Sequence, residues 1–247
     1  MSARELLSIA KAAALAAGKL LLDERKTAKK VYKEIGRDIK LKADFVSERV
    51  IIDFLKKRSD FSILSEEKGL IKRGRPGFTW IVDPLDGSLN YMRGIPLACV
   101  SIGLWKDEEP FLGVVYDFNR QELFSGIVGV GAWLNENKIL CSSIVTKERS
   151  VLCTGFPVGA EFSRKSFLDF SGKIQAYKKI RLLGSAALSL AYVACGRADA
   201  YFENGIKFWD VAAGIALVQA SGGAVNYSPL SKKNAFKVQA SNRYLKC

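Results

Sequence analysis

The hydrophobic and polar positions divide the chain into stretches of different period. Leu6, Ile9, Ala10, Ala13, Ala17, Leu20 and Leu21 recur at helical spacing, and Ser2 with Glu5 makes a capping box ahead of them. A first helix is therefore predicted to about Arg25. Val46, Val50, Ile51, Phe54 and Leu55 predict a second helix, with Asp44 as its candidate cap. Residues 33–42, with Gly36 and Asp38, show no period and read as a charged loop. Residues 61–65 form a short apolar strand that runs into Glu66-Glu67. A Gly/Lys/Arg-rich loop over 68–77 leads to a second strand, which ends abruptly in Asp83-Pro-Leu-Asp86-Gly-Ser88.

From 98 to 134 the pattern becomes β. A hairpin is predicted from 99–105 and 111–116 around a Lys-Asp-Glu-Glu-Pro turn, with further strands at 122–125 and 132–134. The Gly-rich piece at 126–131 lacks the spacing of a dinucleotide fingerprint or a P-loop and reads as turns. Beyond 146, strands at 151–154, 179–182 and 198–202 alternate with helices at 163–176, from Gly184-Ser185 to 195, and 209–221, the last ended by Gly222-Gly223. Closing strands are predicted near Val225 and at 237–240. This alternation predicts helices packed on a sheet. A soft boundary near 145 divides two α/β halves, 1–145 and 146–247.

Composition changes the picture in three ways. The chain has no histidine, which excludes Ser-His-Asp and Cys-His catalysis and His-containing zinc sites. Its five cysteines, an odd number with no CxxC pair, read as reduced thiols, with Cys247 expected at the surface. The net charge of +13 attracts anions. Yet the basic residues are scattered, as in Lys29-Lys30, Lys56-Lys57-Arg58, Lys72-Arg73, Lys178-Lys179 and Lys232-Lys233, with no aromatic interleaving, so nucleic acid is not an expected partner. Arg4, Glu5, Lys11 and Lys19 interrupt the apolar N-terminal segment, and no membrane span is expected. The expected location is the cytoplasm.

Four acids fall at element ends: Glu66, Asp83, Asp86 and Asp210. Taken singly, each has a local reading. Asp83-Pro-Leu-Asp86-Gly is a turn sequence, and Asp210 suits a helix N-cap. Taken together, they suit a pair of hard cations that clamp a phosphate and activate a water, chemistry that needs no histidine. The Gly87-Ser88 turn and the Gly184-Ser185 helix start are candidate sources of amides for the phosphate.

Three signatures carry a resemblance: Ser65-Glu66-Glu67, Trp80-Ile-Val-Asp-Pro-Leu-Asp-Gly-Ser88-Leu-Asn90 and Trp209-Asp-Val-Ala-Ala-Gly214. Gly113-Val-Val-Tyr116, Gly129-Val-Gly-Ala132 and Ala198-Asp-Ala-Tyr-Phe-Glu203 lie between them in order. Over nearly its whole length the chain resembles the inositol monophosphatase family of Mg²⁺-dependent, lithium-sensitive phosphatases. The resemblance implies a layered αβαβα sandwich of two α/β subdomains and a homodimer. It implies that Glu66, Asp83 and the Leu85 carbonyl hold one Mg²⁺, and that Asp83, Asp86 and Asp210 hold a second. Glu66 and the Ser88 hydroxyl would orient the attacking water, and the Gly87 and Ser88 amides would bind phosphate. Gly184, Ser185, Ala186 and Glu203 would contact the substrate. Asp38 and Asp44 would help a third, weaker Mg²⁺ site through water, with Asp44 as a simple helix cap the alternative. Serine stands at 88 where the family usually has threonine. The run Asp86-Gly-Ser-Leu-Asn-Tyr-Met-Arg-Gly-Ile-Pro96 resembles archaeal members that act on inositol 1-phosphate and fructose 1,6-bisphosphate. A 3′-phosphoadenosine 5′-phosphate phosphatase is the alternative within the family, and a non-catalytic polyanion-binding protein the alternative outside it.

Overall fold

The computed structural model describes residues 1–25, 31–35, 38–72, 74–156, 163–231 and 234–245. Gly36, Arg73, Cys247 and the pairs Lys29-Lys30 and Lys232-Lys233 lie outside the described residues, as does the side chain of Asp38. Helix α1 (Ala3–Asp23) starts at the expected capping box: Ser2 Oγ accepts from the Glu5 N–H at 3.3 Å, and Glu5 Oε2 accepts from the Ser2 N–H at 2.6 Å. Its buried face is Leu6, Leu7, Ala10, Ala13, Ala14, Ala17, Gly18 and Leu21, with Ile9 packed partly buried at its edge and Leu20 half-buried. The predicted charged loop is instead an antiparallel ribbon, β1 (Val31–Ile35) and β2 (Asp38–Leu41), with Ile35 opposite Asp38. Strand pairing, not apolar alternation, defines it. Helix α2 (Lys42–Arg58) follows at once.

The first sheet has eight strands in the order β10-β9-β8-β7-β6-β5-β3-β4. They are β3 (Phe61–Ser65), β4 (Gly69–Ile71), β5 (Arg75–Asp86), β6 (Cys99–Lys106), β7 (Glu109–Asp117), β8 (Glu122–Ile127), β9 (Gly131–Leu134) and β10 (Asn137–Ile139). Much of the loop predicted over 68–77 is thus strand. Strand β3 runs parallel to β5, and β5–β6, β6–β7 and β7–β8 are antiparallel. Alternation along β5 sends Trp80 and Val82 into the core under α1 and α2, and Ile81 into the core on the other face.

The two aspartates lie inside the end of β5, not in a turn after it. Asp83 pairs with Ser101 and Asp86 with Cys99, so three steps on β5 oppose two on β6. A regular strand would send residues 83 and 86 to opposite faces. The extra residue at Pro84-Leu85 is a bulge that returns Asp86 to the face of Asp83. Gly87 then turns the chain at φ 88° into a short helix, α3 (Ser88–Arg93), which the hydrophobic pattern did not reveal.

The second sheet orders its five strands β12-β11-β13-β15-β14, from β11 (Val151–Thr154), β12 (Lys179–Arg181), β13 (Ala200–Lys207), β14 (Ala224–Pro229) and β15 (Ala235–Ser241). Helices α5 (Ala186–Ala194) and α6 (Phe208–Ala220) lie between the two sheets and are buried nearly all round. Helix α4 (Arg164–Ile174) covers the outer face, where Ile174 packs with Leu152, Ala200 and Leu245. The layers are therefore α1/α2, eight-stranded sheet, α5/α6, five-stranded sheet, α4: an αβαβα sandwich.

Helix α6 touches the first sheet because Gly103 and Gly113 pair across β6 and β7 and leave a bare patch. A Cβ on Gly113 would lie 2.1 Å from the Ala213 carbonyl oxygen. Gly113→Ala must push the helix off the sheet, a backbone shift that costs about 2 kcal/mol. Its unfolding midpoint should fall by several degrees with turnover reduced as well, because Asp210 rides on the first turn of α6. Thermal unfolding and phosphate release on the same preparation check this.

Candidate metal centre and substrate cavity

Asp83 is buried, and its Oδ1 accepts from the Leu85 N–H at 3.0 Å. Asp86 is held from the opposite layer: its Oδ2 accepts from Ser185 Oγ at 2.6 Å and from the Ala187 N–H at 2.7 Å. The start of α5 is thus spent on orienting Asp86, and Ser185 caps the same helix through the Leu188 N–H at 3.2 Å. Asp210 is the third residue of α6, not its cap, and accepts from the Lys207 N–H. Asp44 does the same at the start of α2, where its Oδ2 accepts from the Leu41 N–H at 2.6 Å. Each of these two acids reaches back one turn to the orphan amide, as the acidic member of a capping box does.

The carboxylates see one another. Burial first, and then the charges of Glu66, Asp86 and Asp210, push Asp83 well above the usual carboxylate range. Burial likewise raises Asp210, helped by Glu66, Asp86 and Glu203. Asp86 rises to about 6 and Glu66 to about 7, again through burial before anything else. The bulge in β5 and the first turn of α6 therefore bring together residues that lie more than a hundred positions apart in sequence.

Glu66 stands in a turn built by a residue the sequence reading overlooked. Glu48 is fully buried on α2, and its Oε1 accepts from Ser65 Oγ at 2.5 Å, the Glu67 N–H at 3.2 Å and the Lys68 N–H at 3.0 Å. The signal was its place one turn after Asp44 on the same helix. Glu67 and Lys40 were also missed. Lys40 bonds Glu66 Oε1 and sits 2.7 Å from Glu67 Oε1. Desolvation would lower this ammonium, but Glu66 and Glu67 outweigh it and hold it above its ordinary value. Among the described residues, Asp44, Glu66 and Glu67 have ligand atoms within 4.8 Å of one another. Lys40 bridges two of the three.

Ser88 Oγ has two acceptors, Asp44 Oδ1 at 2.8 Å and the Leu85 carbonyl at 2.9 Å. Asp44 is fully buried, and desolvation raises it to about 6 against the hydrogen bonds from Ser88 and Leu41. Gly87 is closely packed: a Cβ there would lie 2.7 Å from the Leu97 carbonyl oxygen and 3.3 Å from the Gly184 carbonyl oxygen across the site. Gly184, at φ 70°, packs against Asn90, whose Nδ2 donates to the Leu97 and Leu183 carbonyls, each at 2.8 Å.

A cavity of about 420 Å³ opens beside these groups, lined by Asp86, Gly184, Ser185, Ala186, Glu203, Lys207 and Asp210 among others. Glu203 is buried and takes a hydrogen bond from Tyr201 OH at 2.8 Å; burial raises it to about 7. Lys207 is the one cation among the described lining residues, and it directly precedes the Phe-Trp-Asp of α6. A larger groove, of about 550 Å³ around Trp105, shares no lining residue with this cavity. The site's donor set is carboxylate and carbonyl oxygen, which suits a hard divalent cation and not a thiophilic one. Cys99 is buried beside Asp86, Cys153 is buried, and Cys141 and Cys195 are partly buried; all four are free thiols. Among the described residues no helix is long and apolar enough to cross a membrane.

The chain is 47% identical over 184 residues to the Nus factor SuhB of Xylella fastidiosa, covering 74% of this chain and 66% of that protein. It is 39% identical over 224 residues to the inositol-1-monophosphatase of Synechocystis, covering 89% and 78%. Among solved structures, the extragenic suppressor protein SuhB of Bartonella henselae superposes with a TM-score of 0.89 at 31% identity, covering 97% of this chain and 95% of that one. An inositol monophosphatase–fructose 1,6-bisphosphatase superposes with a TM-score of 0.79 at 25% identity, covering 95% and 94%. Residues 2–238 match the inositol monophosphatase family as a whole, and with the αβαβα layering and the acidic site this places the chain in that family of phosphatases.

Proposed function

We propose that the protein is a Mg²⁺-dependent phosphomonoesterase acting on inositol 1-phosphate, fructose 1,6-bisphosphate or both, as a cytoplasmic homodimer. One observation carries this reading: Asp83 feels the charges of Glu66, Asp86 and Asp210, and Asp86 and Asp210 line a cavity with a single lysine among its described lining residues. Glu66, Asp83 and the Leu85 carbonyl would hold one Mg²⁺, and Asp83, Asp86 and Asp210 a second. Bound there, the cations would polarise the phosphoryl oxygens and acidify a water.

The chain's own residues supply the rest. Ser88 Oγ, donating to Asp44, keeps its lone pairs free to accept from a water, so a proton can pass from water to Ser88 and from Ser88 to Asp44. A carboxylate raised to about 6 suits a proton acceptor near neutral pH. Asp44 therefore serves in proton transfer in this proposal, not as a third-metal ligand. Glu203 is placed to accept a substrate hydroxyl, and the Gly87 and Ser88 amides to hold phosphate. Ser88→Ala should lower turnover by about a hundredfold, whereas Ser88→Thr keeps the hydroxyl and should retain it. Stopped-time phosphate release on both variants decides this.

Lys207 is the residue we assign to a second phosphate. Lys207→Ala should raise KM for fructose 1,6-bisphosphate about tenfold while leaving that for inositol 1-phosphate within a factor of two or so, the loss of one charge contact. Equal effects on both substrates would remove the assignment. The overall reading is tested by phosphate release with Mg²⁺, with and without Li⁺, from inositol 1-phosphate, fructose 1,6-bisphosphate and 3′-phosphoadenosine 5′-phosphate. Preference for the last would favour the nucleotidase alternative. No release from any would favour a polyanion-binding protein. Phe167, Leu168 and Leu182 are exposed apolar residues that support a dimer contact, which light scattering can measure.

The name Nus factor, carried by the Xylella relative, together with the +13 charge supports a second reading, association with transcription complexes. Copurification with RNA polymerase at physiological salt would support it, and its absence would remove it.

A further inference from the structure

The longest acidic run of this basic chain, Asp107-Glu108-Glu109, plays no part in the phosphatase site. Asp107 and Glu108 form the two-residue turn between β6 and β7, and Glu109 opens β7 opposite Lys106. Asp107 and Glu108 both have positive φ, 49° and 70°. Such a turn favours Asn-Gly, because a side chain at these angles is strained. Strain that a glycine would relieve is kept where the side chains serve something else.

Both residues line the groove of about 550 Å³, which shares no lining residue with the catalytic cavity. Its floor is aromatic. Trp105 meets Phe208 edge-on at 4.7 Å and Tyr227 edge-on at 5.3 Å, and Phe208 stacks on Phe236 at 4.7 Å. The Trp105 ring is fixed by its N–H bond to the Ala212 carbonyl at 3.2 Å. Tyr227 OH donates to Glu109 Oε2 at 3.2 Å and so ties the aromatic wall to the acidic run. Lys106, the neighbouring cation, lies over Phe78, and among the described residues no cation is within ion-pair distance of Asp107 or Glu108.

We propose that this groove is a second ligand site, and that its ligand is a small organic cation: an ammonium on an apolar body. Aromatic faces attract such a cation through their quadrupoles, and carboxylates at the rim add Coulombic attraction. The volume is that of a small-molecule site. A simple metal ion gains little from rings, and an anion is repelled by the rim. The chain's net positive charge disfavours cations over most of its surface, so the paired carboxylates at this rim are a local exception outside the catalytic site.

Choline and its uncharged isostere 3,3-dimethyl-1-butanol are the probes, titrated into the full chain by calorimetry or ligand-observed NMR. Choline should bind at about 1 mM or tighter and at least tenfold more tightly than the isostere. Glu108→Gly should weaken choline binding about fivefold while raising the unfolding midpoint by about 2–4 °C, since it removes charge and strain together. Tyr227→Leu should weaken binding without touching phosphate release. Asp83→Asn should bind choline as the wild type does, which separates this groove from the catalytic cavity. Equal binding of choline and the isostere, no choline binding, or binding lost in Asp83→Asn but kept in Tyr227→Leu would each overturn the proposal.

Discussion

Asp83→Asn is expected to lose turnover by roughly a thousandfold or more, about 4 kcal/mol of barrier, and at the same time to make the metal-free protein more stable. Both effects have one cause. Asp83 faces Glu66, Asp86 and Asp210 in a buried site, where the charges that would attract a divalent cation repel one another without it. Removing one charge relieves the repulsion and removes a ligand that both proposed cations share. The stability gain has a pH signature. Glu66 at about 7 and Asp86 at about 6 lie above ordinary carboxylates, so between about pH 4 and 7 the folded state holds protons that the unfolded chain has released. Their contribution to stability therefore falls as pH rises through that window. In EDTA the advantage of Asp83→Asn over wild type should be near zero at pH 5 and largest at pH 8, above the values of Glu66 and Asp86. Saturating Mg²⁺ should reverse the order at pH 8. Denaturant melts of both proteins at the two pH values check this. An advantage larger at pH 5 than at pH 8 would show that the acids do not share a field.

Much of that site was legible from residue types alone. Acids at strand ends and helix starts, in a chain without histidine, left carboxylates, hydroxyls, lysines or a metal as the candidate chemistry before any geometry was known. What the sequence could not convey was how the acids reach one face. The bulge at Pro84-Leu85 changes which way Asp86 points, and nothing in the hydrophobic alternation marks it, because residues 83–86 carry only one apolar side chain besides proline. The paired glycines 103 and 113 are just as silent: their role appears only when α6 crosses them. The start of α2 was read three residues late, so Asp44 read as a cap although it is the third residue of its helix and reaches back to the cap amide. The ribbon of β1 and β2 was missed because charged residues interrupt both short strands and its pairing is with itself. With that ribbon went Lys40, whose partners Glu66 and Glu67 lie on another element.

Lys40→Met should then act in two opposite directions. In the metal-free protein at pH 8 it leaves Glu66 and Glu67 without their counter-ion in a largely buried setting, and the loss should be about 3 kcal/mol. Lowering the pH toward 5 should shrink that loss, because Glu66, raised to about 7, takes up a proton in place of the ammonium's charge. Metal binding should move the other way. Asp44, Glu66 and Glu67 can together surround one cation, and the Lys40 ammonium already neutralises two of them. A divalent ion entering there must displace it, so the wild type should bind fewer ions, or bind the last one more weakly, than Lys40→Met. Equilibrium dialysis with Mn²⁺ reads the stoichiometry without reference to turnover, and melts in EDTA read the stability. A variant that loses stability and gains no metal would make Lys40 a structural counter-ion alone. One that gains a metal and recovers its stability in Mn²⁺ would make it a resident cation standing where other chains could place a third ion.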